Sequence, residues 1–154
     1  MKTKKLGVII FIGIFIIGGI IYSQDKNKEI EGLPSVDKSL LSYFEENAKF
    51  DEIISYGEED INEDKRKDLV IVYKKDNESN EMVVIINEKD NIYMTNPTPA
   101  PKEDLLIEFK NIDDKEPLEV VISGSKNGNV GYGIYRLENK KLLNLFGEGM
   151  EACC

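Results

Sequence analysis

The residues best suited to chemistry stand at the end of the sequence, where Gly147-Glu148-Gly149-Met150-Glu151-Ala152 leads to Cys153-Cys154. These are the only two cysteines in the chain, so neither staples the fold to a third position. Thiolates are soft ligands that hard oxygen donors do not displace, and sulfurs on adjacent residues can chelate one soft atom. The thioether of Met150 and the terminal carboxylate offer auxiliary contacts. A disulfide between neighbours closes a small, strained ring and is readily reduced. Gly147 and Gly149 predict a mobile tail over 148–154, with both thiols reachable by solvent. The charges adjacent in sequence (Glu148, Glu151 and the carboxylate) are all negative. They do nothing to activate a fast nucleophile, which turns the reading toward capture of a metal or organometal species. A thiol redox partner is the alternative that the same two residues leave open.

A second candidate is acidic. Asp60-Ile61-Asn62-Glu63-Asp64-Lys65-Arg66-Lys67-Asp68 places oxygen side chains at relative positions 1, 3, 5 and 9. That alternation converges ligands on a hard cation such as Ca2+, with a backbone carbonyl, here that of Arg66, at position 7. The loop resembles the FG-GAP loop of integrin-type β-propeller repeats, D-x-N-x-D-G-x-x-D-L-V. It departs from that pattern at position 6, where Lys65 stands for glycine, and Lys65, Arg66 and Lys67 together add three positive charges. An Asx-rich structural turn is therefore favoured over a calcium site. A degraded copy runs from Asn111 to Glu119, with Lys115 and Pro117 at positions 5 and 7.

Composition narrows the classes. No histidine is present, which removes Ser-His-Asp and Cys-His catalysis and imidazole-ligated zinc, and no catalytic constellation is recognisable. Formal charge is 20 − 29 = −9, and 17 − 29 = −12 without Lys2, Lys4 and Lys5. Such a surface repels phosphate backbones, so nucleic acid is not an expected partner.

The elements that must position these residues follow from patterning. Three lysines precede an unbroken apolar run, residues 6–22, long enough as a helix to just span a hydrocarbon core. Residues 1–22 read as an uncleaved signal anchor, cytoplasmic at its N-terminus, on a single-pass protein of the cell membrane whose domain lies outside. Secretion after cleavage is the alternative. A polar tether, 23–34, ends at Pro34. Helical spacing over SVDKSLLSYFEENA puts Leu40, Leu41 and Phe44 on one face, with Ser35 or Asp37 as cap.

Beyond it, FDEIISY, DLVIVY, EMVVII, NIYMT, DLLIEF, LEVVISG, VGYGIYRL and KLLNLF read as strands separated by Asn, Asp, Gly and Lys clusters. A shift of 51 positions lays Asp60–Asn96 over Asn111–Gly147 without a gap. The predicted class is mostly β: a transmembrane helix, one short helix, then two tandem β-sheet repeats resembling propeller-type units. The extracytoplasmic domain is 35–147, with repeat 1 at about 50–96 and repeat 2 at about 105–147. The proline-rich NPTPAPKED between them predicts a stiff linker.

The ending LFGEGMEACC, preceded by ISGSKNGNVGYGIYRLENKKL, resembles the Cys-Cys-COOH (seleno)protein SaoC family. The similarity runs from the DINEDKRKDLVIVY loop to the last residue. The resemblance implies that Cys153 and Cys154 handle an organometallic compound, such as an organomercurial, or its metal product. It also implies a transporter or thioredoxin-like partner within a selenocysteine-assisted organometal transport system. Both positions here are cysteine.

Overall fold

The computed structural model describes residues 36–154, with the side chain of Cys153 outside that description. The expected anchor and tether therefore lie outside the described residues. Among those described, no helix is long and apolar enough to cross a membrane.

Helix α1, Lys38–Asn47, starts where Asp37 accepts a hydrogen bond from the Ser39 amide at 2.8 Å. That bond satisfies one of the first-turn N–H groups the helix itself cannot pair. Its inward face buries Leu40 and Phe44, the positions the spacing selects.

The chain then forms β1 (Glu52–Glu59), β2 (Asp68–Lys74), β3 (Asn80–Glu88), β4 (Asn91–Met94) and β5 (Thr98–Ala100). Next come β6 (Glu103–Lys110), β7 (Glu119–Lys126), β8 (Asn129–Glu138) and β9 (Lys141–Glu148), and a closing turn of helix, α2 (Met150–Cys153). The fold is mostly β, in two antiparallel sheets ordered β1-β2-β3-β4 and β6-β7-β8-β9. Strand β5 joins the first sheet by pairing with β3. The segment expected as a linker is thus partly a strand. Pro97, Pro99 and Pro101 alternate with Thr98 and Ala100, so the residues lacking N–H fall at every second position and need not interrupt the ladder.

Alternation along each strand builds two apolar layers. Leu69, Ile71, Tyr73, Val83 and Ile85 on one face of the first sheet pack with Leu40 and Phe44 of α1. Val70, Val72, Met82, Val84 and Ile86 on its other face pack with Val120, Ile122, Tyr135 and Leu137 of the second sheet. The far face of the second sheet leaves Leu106, Val130, Tyr132, Leu143 and Phe146 exposed.

The two sheets match strand for strand, but not without a gap. The offset of 51 holds across the loops and β2/β7, since Ile61 N–H binds Asp68 and Ile112 N–H binds Glu119. In the hairpins that follow, Glu88 pairs with Asn91 and Glu138 with Lys141, an offset of 50. The residue is lost between β7 and β8: Lys75–Ser79 separate the pair Lys74 and Asn80, whereas only 126–129 separate Ser125 and Val130. A one-residue slip exchanges the faces of a strand, so the ungapped alignment assigns β8 side chains to the wrong side. Arg136 occupies the place of Ile86, not Ile85.

Candidate functional site

The closing segment is ordered by local bonds and by the sheet beneath it. Ala152 N–H donates to Gly149 O at 3.0 Å and Cys154 N–H to Met150 O at 3.1 Å, which closes one turn. Within the segment 148–154, expected as a mobile tail, Glu148 ends β9 and Met150–Cys153 form α2. Met150, expected as an auxiliary soft ligand, packs against the core between the sheets. Half-buried there, its side chain helps to anchor the turn.

Two further features fix this turn, and reading the sequence linearly overlooked both. Gly149 has φ +67, and a Cβ there would collide with the main-chain oxygen of Val130 and lie 3.1 Å from Gly131 Cα. Only glycine permits both that conformation and that approach. The second is Lys126, whose Nζ donates to the main-chain oxygen of Cys154 at 2.8 Å. The residues nearest in sequence are acidic, yet the fold brings an ammonium from the shoulder of the β7–β8 hairpin to the last residue. Cys154 is half-buried. The glycine-rich GSKNGNVGYG was the available signal: it forms the hairpin on which the turn rests.

The acidic loop is a self-contained turn. Asp60 Oδ1 accepts from the amides of Asn62 (3.3 Å) and Asp64 (3.2 Å), and Asp60 Oδ2 accepts from Lys65 (2.7 Å). Asn62 Oδ1 accepts from Asp64 N–H at 3.0 Å, and Asp64 Oδ1 from Arg66 N–H at 2.9 Å. The side chains expected to converge on a cation thus hold backbone amides, as Asx turns do. Lys65 takes the glycine conformation, at φ +69, as the pattern requires. Among the described residues, no group of three or more His, Cys, Asp or Glu side chains is arranged to hold a metal.

Asp68 closes the loop from below. It is fully buried, accepting from Ile61 N–H at 3.2 Å and Asn87 N–H at 2.8 Å. Burial pushes its carboxyl up to about 6, against the lowering effect of those two amides, and the nearby Asp64 and Asp60 add to the rise.

In the second loop Glu119 takes the place of Asp68 and is likewise fully buried. Its Oε2 accepts from Ile112 N–H at 2.8 Å, while its Oε1 is bound by the guanidinium of Arg136. The same guanidinium reaches Asp113 Oδ1 at 2.8 Å, and this bond holds the Asp113 carboxyl below the usual range. An internal cation stands at the carboxylates of the second loop, consistent with its missing ligand positions.

Comparison with family models, curated proteins and solved structures gives no match for this chain.

Proposed function

We propose that this protein is a membrane-anchored extracytoplasmic dithiol carrier that binds a soft metal or organometal cation and hands it to a transporter. The observation that carries the reading is the placement of Cys153 in the last turn and Cys154 at its cap, with Cys154 half-buried beside the β7–β8 hairpin. Adjacent sulfurs there can take over a thiophilic centre one ligand at a time. Each thiol releases a proton to solvent as its sulfur displaces one outgoing ligand, so ligand number and charge are conserved at every step. No base is required, which suits a chain without histidine.

The resemblance to the Cys-Cys-COOH family supports an organomercurial or its metal product as cargo. The basic head and apolar run at residues 2–22 support anchorage at the cell membrane with the domain outside. The β domain is the holder: two propeller-type units of FG-GAP-like ancestry, whose loops serve as structural turns.

The test is retention of phenylmercury by the full chain during dialysis against a competing monothiol. Wild type should hold about one equivalent, and Cys153→Ser/Cys154→Ser none. Equal retention by the two removes the carrier reading. A stable disulfide that forms in redox buffer and is unaffected by added metal would replace that reading with a thiol redox partner.

A further inference from the structure

The closing turn is held at both ends by elements distant in sequence. On one side Lys126 sits beside a two-residue hairpin turn in which Asn127 (φ +52) and Gly128 (φ +79) both adopt positive φ. Such a turn matches the twist of its strands and leaves the Lys126–Asn129 pair little freedom. From this shoulder Nζ reaches across 28 residues of sequence to the Cys154 main-chain oxygen. On the other side Gly149 lies against Val130 and Gly131, and Met150 is inserted at the margin of the core. Between these two attachments only one helical turn remains, far too short to be stable in isolation.

We infer that α2 is a latch, closed by the Lys126–Cys154 bond, and that its release governs how fast the sulfurs meet a ligand. Docked, the turn fixes its backbone and keeps Cys154 half-buried. Full access to the half-buried Cys154 requires the turn to leave its seat, and the Lys126 ammonium opposes that step. Breaking a single half-exposed, charge-assisted bond is a small barrier, which lets the turn open and reclose readily. The latch concerns the dithiol site proposed above and gains its purpose from that reading, but its mechanics do not depend on the cargo.

The test uses the full-length protein and iodoacetamide, a neutral reagent whose approach is insensitive to removal of one charge, with alkylation at each cysteine followed by peptide mass. Lys126→Met, which keeps chain length but loses the donor, should react about fivefold faster than wild type at an unchanged melting temperature. Lys126→Arg, which restores a cationic donor, should fall within about twofold of wild type. Gly149→Ala, which forces the turn off Val130 from the opposite side, should match Lys126→Met, and keeps the idea testable should that variant unfold. Wild-type rates in both Lys126→Met and Gly149→Ala overturn the latch, as does a Lys126→Arg variant as fast as Lys126→Met. Faster alkylation without phenylmercury retention in any variant upholds the latch and removes the carrier reading.

Discussion

The two acidic loops close on equivalent amide bonds, Ile61 to Asp68 and Ile112 to Glu119, yet neutralise themselves in different ways. In the first, Asp60, Asn62 and Asp64 turn inward on backbone amides, and buried Asp68 is held by two N–H groups alone. In the second, Asp113 Oδ1 keeps one such bond, from Lys115 N–H at 3.1 Å, and the guanidinium of Arg136 bridges Asp113 and buried Glu119. Burial raises the Asp68 carboxyl in spite of its two amides, whereas Glu119 has a full opposite charge beside it. The lesson is that loop sequence alone does not say how a buried carboxylate is satisfied. The answer for the second loop lies 17 residues further along, on another strand.

The largest test of this contrast is Arg136→Met. It leaves Glu119 buried without its cation, and a broken buried pair is strongly destabilising, so the melting temperature should fall by roughly 10 °C. A fall no greater than that of an average surface substitution would mean that Ile112 N–H suffices, and the two loops would then be equivalent.

Next is the pH dependence of Asp68→Asn. The Asp68 carboxyl is raised in the folded state to about 6 from an ordinary value near 4. The folded protein therefore binds more protons than the unfolded chain between those values. Its contribution to stability is highest below that window and is lost as pH rises through about 6. Urea midpoints measured from pH 4 to 7 should decline across the window in wild type, and the decline should shrink in the asparagine variant. That variant also gives up one amide acceptor, so its curve should lie lower at the acid end. An unaltered slope would assign the pH dependence to other groups.

Calcium sharpens the comparison from another side. With the loop oxygens already engaged by amides, added calcium or a chelator should leave the melting temperature within about 1 °C. A calcium-induced rise abolished by Asp64→Ala would instead make the first loop a cation site. The smallest effect belongs to Lys65→Gly, which relieves a residue at φ +69 and should raise stability by about 0.5–1 kcal/mol, read from the urea midpoint. The matching change in the second loop is not equivalent, because there the positive φ falls on Asp114, in the place of Glu63.

Much of the framework was legible in the chain. All eight strands expected from alternating apolar residues form, and α1 buries the Leu40 and Phe44 that helical spacing selects. The correspondence of the two sheets was legible too, down to the amide bonds that close both loops. What escaped was anything set by register. The ungapped alignment missed the residue lost between β7 and β8, and with it the placement of Arg136. The NPTPAPKED segment read as a linker because three prolines argue against a strand, and only pairing with β3 makes their alternation harmless.

The candidate site divides along the same line. The sequence by itself determined which atoms are present: two adjacent sulfurs, no imidazole, and an acidic surface. It determined the strands as well, because alternation and turn residues act over a few neighbours and need no distant partner. Tertiary structure alone decided that the last turn is docked, that Met150 points to the core, and that Lys126 stands beside Cys154. The physical reason is that strand pairing joins residues far apart in the chain. A single-residue change in that pairing moves a side chain from core to solvent, and no local pattern records which pairing was taken.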